Sequence, residues 1–344
     1  MLDTVLLILS IVVLLVISSY KPKHIFWDKQ PVMRSYSDAI GKIGEIPRFS
    51  FNIDKKYNLA ISYLEKDSFE SAYKLVYDHF SPYFKINYGF FQYNIFLPGT
   101  INICLKDSGN IIGFIHGRPI EIYYNNKLIQ FIYVDYLCVA LEYRHQDAAT
   151  LLISSMLNAN SPDQSYIFKI DSNRLPFLPF FYSNYYYKLI ESPKKTSENN
   201  KIAISEFHNM EYNKKTHILE TINQFLQKYN LYKLYTIEEL EKYSIYIVGN
   251  NDLIVIGKHG NYTIASSQYK SYDIDYIIGD SEFFYIFETY MANKEFELFT
   301  IPYIGNNIYI AKTYGFNRAN KYSYYLYNYS LPKISSREFM FNIN

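Results

Sequence analysis

The chain has 344 residues, which is long for one hydrophobic core and comfortable for two domains. Apolar residues make up 49% of it and its formal net charge is +1, so the composition excludes a disordered chain and argues against a nucleic-acid-binding surface. Cys104 and Cys138 are its two cysteines, and its seven histidines never follow a metal-ligand spacing such as H-x-x-x-H. We therefore expect neither a disulfide framework nor a metal site, and a reducing compartment fits best.

The amino terminus carries an unbroken apolar run from Thr4 to Ser18, followed by Lys21 and Lys23. This run is slightly shorter than the roughly 20 residues of a membrane-spanning helix. We predict a hydrophobic helix within residues 1–20 that contacts a membrane through residues 4–19, with the folded body on the cytosolic side of the basic residues. The alternative is a processed signal sequence, which would place the body outside the cell.

The first half of the chain predicts a mixture of helix and strand. A helix is expected from Asp67 to Phe80, because Asp67 and Glu70 resemble a capping box ahead of apolar residues at helical spacing. Residues 110–124 and 127–140 are rich in β-branched and aromatic side chains and flank the pair Asn125 and Asn126, which predicts a hairpin. A further helix is expected from Gln146.

The second half repeats this mixture after a polar stretch at residues 192–201. Helices are predicted over residues 216–229, over 236–243 with a capping box of Thr236 and Glu239, and over 280–292, with strands around 245–256. The polar stretch is typical of a surface connection, so we place the boundary between two domains there, at 21–195 and 196–344.

The stretch "FIYVDYLCVALEYRHQDAATLL", residues 131–152, joins a predicted strand to a predicted helix through a short polar bend. The first turn of a helix has amide groups without internal acceptors, which favours an anion at such a junction. The junction resembles the turn of the acetyltransferase-like fold that holds the pyrophosphate of CoA, where the preceding strand leaves amides free for a thioester carbonyl. The alternative is that Asp147 merely caps a helix packed on a sheet.

Several segments resemble the N-myristoyltransferase family. "VDYLCVALEYRHQDAATLLI" resembles its E-[IV]-N-F-L-C-V-H-K strand and the L-R-S-K-R-x-A-P turn that follows, and "HIFWDKQPV" resembles its F-W-x-T-Q-P-V segment. "GFIHGRPIEI", "INQFLQKYNLYKLYTIEELEKY" and "YYLYNY" are similar to further family segments. The resemblance covers most of residues 24–344 in the family's order, and it identifies the chain as a divergent member whose many Tyr, Asn, Ile and Lys residues would suit a viral source.

The resemblance implies an α+β fold. Its form would be two tandem acetyltransferase-like lobes with pseudo-twofold symmetry that build one saddle-shaped mixed sheet, after the hydrophobic amino-terminal helix. Residues 21–195 would be the acyl-CoA-binding lobe, and residues 196–344 would contribute peptide binding and a catalytic C-terminus. Myristoyl-CoA would be a co-substrate and no cofactor would be needed, while the other partners would be proteins with an N-terminal glycine.

The same resemblance implies a mechanism and a set of residues. A myristoyl group would pass from CoA to the N-terminal glycine amine of a protein by direct attack, with the backbone amides of Tyr136 and Leu137 meeting the oxyanion. The family's terminal carboxylate returns to the active site as the base, and this role would fall on Asn344. The residues implied in acyl-CoA binding are Phe26, Trp27, Cys138, Val139, Arg144, Ala148 and Ala149. Those implied in peptide binding are Phe84, Tyr88 and Tyr325.

The chain also departs from the family pattern. His145, Gln146 and Asp147 stand where the family has Ser-Lys-Arg beside the CoA phosphates, so weaker binding of CoA is expected. Asp135 replaces an Asn, Ala140 replaces a His, and "TYGFNRANKYS" lacks the Asp and Gly pair of the family's K-F-G-x-G-D-G loop. The acidic run that meets basic substrates is reduced to Asp78 in "YDHFSPYF", so an altered peptide preference is expected.

Two other interpretations stay open. The departures would suit a catalytically inactive binding or structural protein that keeps the acyltransferase fold and is anchored to a membrane. An acyltransferase that uses another acyl chain or a lysine acceptor is the third interpretation.

Overall fold

The computed structural model describes residues 26–36, 40–44, 59–80, 86–144, 147–171, 175–190, 202–264 and 267–341. Its strands are β1 (Leu59–Tyr63), β2 (Ile101–Asp107), β3 (Asn110–Tyr124), β4 (Lys127–Val139), β5 (Tyr166–Asp171), β6 (Phe181–Leu189), β7 (Ile204–Glu206), β8 (Leu231–Tyr232), β9 (Ser244–Val248), β10 (Leu253–Ile264), β11 (Ser267–Gly279), β12 (Leu298–Pro302), β13 (Asn317–Tyr327) and β14 (Phe339–Met340). Its α-helices are α1 (Phe69–His79), α2 (Tyr88–Ile95), α3 (Ala148–Asn158), α4 (Tyr212–Leu226), α5 (Ile237–Leu240), α6 (Phe284–Asn293) and α7 (Asn307–Thr313). Short 3-10 turns lie at Trp27–Lys29, Lys66–Ser68, Leu141–Tyr143, Phe207–Asn209 and Ser281–Phe283.

The strands join in one sheet whose main path runs β1-β2-β3-β4-β5-β13-β6-β12-β11-β10-β9-β7. The two halves of this path have the same connectivity. In the first half β4 and β5 are parallel and joined through α3, and in the second half β11 and β12 are parallel and joined through α6. At the centre the halves exchange a strand, since β13 pairs with β5 and β6 pairs with β12. This is the pseudo-twofold arrangement of two lobes that the sequence predicts. The lobe boundary near residue 195 falls outside the described residues and stays a prediction.

The hairpin predicted from the sequence is confirmed. Strands β3 and β4 pair in antiparallel register around Asn125 and Asn126, whose φ angles are 48° and 63°. Asparagine tolerates this left-handed conformation, which a tight two-residue hairpin turn requires.

One of the two predicted capping boxes forms. Thr236 accepts from the backbone N–H of Glu239 at 3.2 Å, and the Glu239 side chain accepts from the Thr236 N–H at 3.1 Å, ahead of α5. The box of Asp67 and Glu70 is wrong, because a 3-10 turn occupies Lys66–Ser68 and α1 begins only at Phe69. Asp67 therefore lies inside that turn instead of at the helix start.

Helix α3 lies unusually close to the sheet. A Cβ atom added to Gly117 on β3 would stand 2.8 Å from Met156 Sδ, and one added to Gly113 would stand 2.9 Å from Leu152 Cδ1. Both distances are shorter than van der Waals contact, so glycine at these positions permits the approach. The close packing fixes the helix over β3 and β4 and thereby positions its amino-terminal end.

The predicted membrane-anchored localisation, with the body facing the cytosol, is wrong. Among the described residues, no helix combines the length and the apolar composition that crossing a membrane requires. The longest of them, α4, has 15 residues, short of the roughly 20 of a span. The apolar run from Thr4 to Ser18, on which that prediction rests, lies outside the described residues.

Candidate active site

Strands β4 and β5 part in the middle of the first lobe. Their parallel ladder ends at the pair of Val134 and Phe168. On the other edge of β4 the register to β3 shifts, since His116 pairs with Asp135 and Phe114 pairs with Cys138. Tyr136 and Leu137 therefore form a bulge at the point where the strands separate, with a φ of 52° at Tyr136.

The bulge is held by its own neighbours. The backbone N–H of Tyr136 donates to Asp135 Oδ1 at 2.8 Å. The Tyr136 ring is buried beneath α1 and α2, where its centroid lies 5.1 Å from that of Phe91 and 5.6 Å from that of Phe80. Burial raises the pKa of the Tyr136 hydroxyl above its ordinary value, so this group stays neutral. The side chain anchors the bulge while its backbone borders the opening.

The separated strands open into a cavity of about 1150 Å³. Its apolar part, between α3 and the sheet, is lined by Trp27, Ile115, Val134, Ile153, Met156, Leu157, Tyr166, Phe168 and Tyr327. Its polar part, towards the second lobe, is lined by Lys169, Asp171, Tyr185, Lys242, Lys258, Asp273, Thr300 and Tyr322. Asp135, Tyr136 and Leu137 lie along the same wall, so one continuous space offers an apolar and a polar compartment beside the bulge.

The start of α3 borders this cavity through Ala149 and Thr150. Its first turn contains no acidic residue, and Asp147, with a φ of 55°, makes no side-chain capping hydrogen bond. Asp147 therefore occupies the N-cap position of this helix without a side-chain capping bond. The amides of the first turn keep the character of an anion site. His145 and Gln146 lie outside the described residues.

The residues predicted to bind acyl-CoA divide into two groups. Phe26, Trp27 and Ala149 line the cavity, whereas Cys138, Val139 and Ala148 are buried away from it. Burial raises the pKa of the Cys138 thiol to about 12, which keeps it protonated.

Arg144 is fixed by backbone groups. Its Nε donates to the carbonyl oxygen of Val139 at 3.0 Å and its Nη2 donates to that of His79 at 3.0 Å. The guanidinium thus joins the end of β4 to the end of α1, close to the bend before α3.

Of the residues predicted to bind peptide, Tyr88 and Tyr325 are described, and neither lines the cavity. The Tyr88 hydroxyl donates to the Glu70 carboxylate, and Tyr325 is fully buried, where its hydroxyl accepts the Leu175 N–H at 3.1 Å. Its ring stacks on Phe168 at 5.7 Å between centroids, so it supports a cavity residue from behind. Phe84 and Asn344 lie outside the described residues.

Sequence reasoning missed the charged residues of the polar part. Burial lowers the pKa of the Lys258 ammonium to about 8, opposed by the carboxylate of Asp275, whose Oδ2 lies 3.9 Å from Lys258 Nζ. Burial raises the pKa of the Asp273 carboxyl to about 6, while Thr300 Oγ1 donates to its Oδ1 at 2.7 Å. In the sequence, each of these residues is a single charge within an apolar strand, which was the one feature that could have identified it. Neighbouring residues do not predict the strand exchange that brings these charges together in space.

No cluster of three or more His, Cys, Asp or Glu residues within the described part of the chain could hold a metal ion. The polar part of the cavity instead pairs its acidic residues with lysine and threonine.

Comparison with known proteins bears on the family and the enzyme class. The family model described as Myristoyl-CoA:protein N-myristoyltransferase, N-terminal domain, matches residues 38–161. A protein of Amsacta moorei entomopoxvirus named "Putative glycylpeptide N-tetradecanoyltransferase" is 25% identical over 327 residues, which cover 92% of this chain and 99% of that protein. The chain is similar in sequence to N-myristoyltransferases over most of its length. The predicted family and its enzyme class, acyltransferase, are thereby confirmed.

Other proteins match part of the chain. The glycylpeptide N-tetradecanoyltransferase of Dictyostelium discoideum is 28% identical over 161 residues, 41% of this chain and 39% of that protein.

Solved structures confirm the predicted fold. Saccharomyces cerevisiae N-myristoyltransferase with bound myristoyl-CoA has a TM-score of 0.73 at 15% identity, covering 92% of this chain and 94% of that one. A GCN5-related N-acetyltransferase from Anabaena variabilis has a TM-score of 0.50 at 12% identity, covering 78% and 72%. At these identities the likeness concerns the fold, which is the acetyltransferase-like α+β architecture expected from the sequence.

Proposed function

We propose that this chain transfers a myristoyl group from myristoyl-CoA to the N-terminal glycine amine of a protein. The observation that carries the proposal is the bulge at Tyr136 and Leu137, which opens into a two-part cavity beside the first turn of α3. Such a junction offers backbone donors to a thioester oxygen and to phosphate groups within a few residues.

The apolar part of the cavity suits a long acyl chain. Ile153, Met156 and Leu157 of α3 face it together with Val134 and Phe168 of the sheet. Each methylene removed from water contributes about 0.8 kcal/mol, so a fatty chain gains affinity along this wall. The phosphate end would then lie at the first turn of α3, where Asp147 weakens the binding relative to the family pattern.

The chemistry needs a neutral amine. Its lone pair attacks the thioester carbon, a C–N bond forms, the C–S bond breaks, and the CoA thiolate leaves while the ammonium proton passes to a base. We assign the base to the terminal carboxylate of Asn344.

The oxyanion would be met by the amides of the bulge. Leu137 borders the cavity, and the Tyr136 amide is already bonded to Asp135 Oδ1. The Tyr136 amide must therefore share its hydrogen between Asp135 and the oxyanion, which makes Leu137 the main donor of the two. Loss of one such donor costs about 3 to 4 kcal/mol in known enzymes.

The decisive experiment is a transfer assay with the full chain. Myristoyl-CoA and a panel of peptides that start with glycine are incubated with the protein, and mass spectrometry follows acylation of the terminal amine. Peptides with an acetylated glycine serve as the matched control and should stay unmodified. Binding of myristoyl-CoA without any transfer would instead support the inactive binding protein.

The mechanism has its own test. Incubation with radiolabelled myristoyl-CoA and no peptide should leave no label covalently bound to the protein, because the attack is direct. A variant extended by a few residues beyond Asn344 should lose most of its rate and still bind myristoyl-CoA. A fully active extended variant would remove the terminal carboxylate from the mechanism.

A further inference from the structure

Asp135 and Lys169 are neighbours at the point where β4 and β5 part. The last pair of the parallel ladder is Val134 with Phe168, so Asp135 and Lys169 are the next residues along the two strands. Both residues are half-buried and both line the cavity. Opposite charges thus flank the opening beside the bulge.

The Asp135 carboxylate supports the backbone of the bulge, and its negative charge would also oppose the reaction. Its Oδ1 accepts the Tyr136 N–H at 2.8 Å and so supports a residue whose φ of 52° is unfavourable for a side chain of this size. The same negative charge adjoins the place where a thioester oxygen would gain charge during transfer. Like charges at short range oppose each other, so the carboxylate would slow the reaction if nothing offset it.

Lys169 supplies a positive charge from β5. Burial lowers the pKa of the Lys169 ammonium, and among the charges that oppose this lowering Asp135 comes first, ahead of Asp275 and Asp171. The Lys169 Nζ atom lies 5.0 Å from the centroid of the Tyr322 ring, and this aromatic neighbour helps to keep the ammonium charged.

Arg118 on β3 is a second cation in this region, and its charge contributes to lowering the pKa of the Lys169 ammonium. Its Nη1 donates to Asn94 Oδ1 at 3.3 Å, and its guanidinium lies 5.3 Å from the centre of the Tyr133 ring. Of these two cations, Lys169 lines the cavity and Arg118 does not.

We propose that Asp135 and Lys169 form a coupled charge pair of the acyl-transfer site, in which Asp135 positions the Tyr136 amide and Lys169 offsets the charge of Asp135. The inference rests on the proposed function and goes beyond it. Both are positioning residues, because neither exchanges an atom with the substrates. The family pattern has a neutral Asn at position 135, where no counter-charge is required, so the dependence on Lys169 is a property of this chain.

A double-mutant cycle on the full chain tests the pair. Lys169→Met should lower kcat by about 10- to 100-fold. The upper figure is the effect of one fully uncompensated charge about 6 Å from the oxyanion at an effective dielectric constant near 20, and the Arg118 charge reduces it. Asp135→Asn keeps an oxygen for the Tyr136 N–H, so in that background the same Lys169→Met change should lower kcat by less than about 5-fold. Lys169→Arg should restore most of the rate, and the affinity for myristoyl-CoA should change little in all variants.

The matched control is Lys188→Met. Lys188 on β6 pairs with Glu288 at 2.6 Å and does not line the cavity, so its loss should lower the thermal midpoint without lowering kcat. An equal loss of kcat from Lys169→Met in both backgrounds would overturn the inference.

The two proposals fail in different ways. If the wild-type chain transfers no myristoyl group, the proposed function fails, and the same cycle read on the thermal midpoint decides the pair. Coupling would then appear as a larger destabilisation by Lys169→Met beside Asp135 than beside Asn at that position. Additive effects on the midpoint would contradict the pair.

Discussion

The two lobes share a strand order and differ in what their corresponding helices place on the sheet. Helix α3 of the first lobe borders a cavity through Ala149, Thr150 and Ile153. Helix α6 of the second lobe packs Phe284 and Phe287 into a filled core, with both ring centroids 5.6 Å from that of Phe299. The two lobes therefore have the same topology but different interiors. The smaller side chains on α3 leave a cavity beside the sheet, whereas the larger side chains on α6 fill the corresponding space.

The lobes also differ where their parallel strands part. The last ladder pair is Val134 with Phe168 in the first lobe and Asp273 with Thr300 in the second. An apolar pair leaves room for an acyl chain, whereas Thr300 donates a hydrogen bond across the strands to Asp273. The second lobe thus contributes a polar wall to the cavity, with Asp273 and Thr300 among its lining residues.

An aromatic ring placed in the cavity of the first lobe, like the rings that fill the core of the second lobe, should prevent binding of myristoyl-CoA. Ala149→Phe places a ring at the cavity wall beside the start of α3, so we expect the affinity for myristoyl-CoA to fall by at least about 100-fold, roughly 3 kcal/mol. Calorimetric titration of the full chain measures it.

Asn158→Phe is the control for that substitution. Asn158 is an exposed residue at the end of the same helix and does not line the cavity, so binding should be retained. Wild-type affinity in Ala149→Phe would show that the ligand does not use this wall.

Replacing a sheet glycine with alanine should lower the free energy of unfolding by different amounts in the two lobes. A Cβ atom at Gly257 on β10 would stand 2.4 Å from the backbone oxygen of Asp273, whereas one at Gly117 would meet side-chain atoms, Met156 Sδ at 2.8 Å and Ile132 Cγ2 at 2.9 Å. We expect Gly257→Ala to lower the free energy of unfolding by about 3 kcal/mol and Gly117→Ala by about 1 kcal/mol. Urea denaturation of both variants measures the difference, and the reverse ranking would contradict the comparison.

The polar wall of the second lobe should make stability depend on pH. Because the folded-state pKa of Asp273 is raised to about 6, the folded chain holds this proton more tightly than the unfolded chain. The resulting stability is fully present below about pH 4 and is lost as the pH rises through 6. Relative to Asp273→Asn, the wild type should lose about 2 kcal/mol between pH 4 and 8, and parallel profiles in denaturation series would remove Asp273 as the cause.

Local sequence signals predicted local structure well. The turn at Asn125 and Asn126 and the capping box of Thr236 and Glu239 were found because each depends on residues a few positions apart. The start of α1 was misplaced because a 3-10 turn and a capping box compete for the same residues, and their energies differ by little.

The site was predicted by resemblance more than by pattern. The resemblance pointed to the amides of Tyr136 and Leu137, whose role stays a prediction, and the structure places both residues at the bulge. The alternation of a strand could not tell that Cys138 faces away from the cavity once the bulge shifts the register. Lys169 and Asp273 were missed because the strands that bring them together are far apart in sequence.

The most direct measurement is a structure of the full chain with a non-hydrolysable myristoyl-CoA analogue. The comparison of the lobes predicts the acyl chain between α3 and the separated strands β4 and β5, with the carbonyl oxygen about 3 Å from the Leu137 amide nitrogen. An analogue bound in the second lobe, or a carbonyl oxygen beyond hydrogen-bond reach of the bulge, would contradict it.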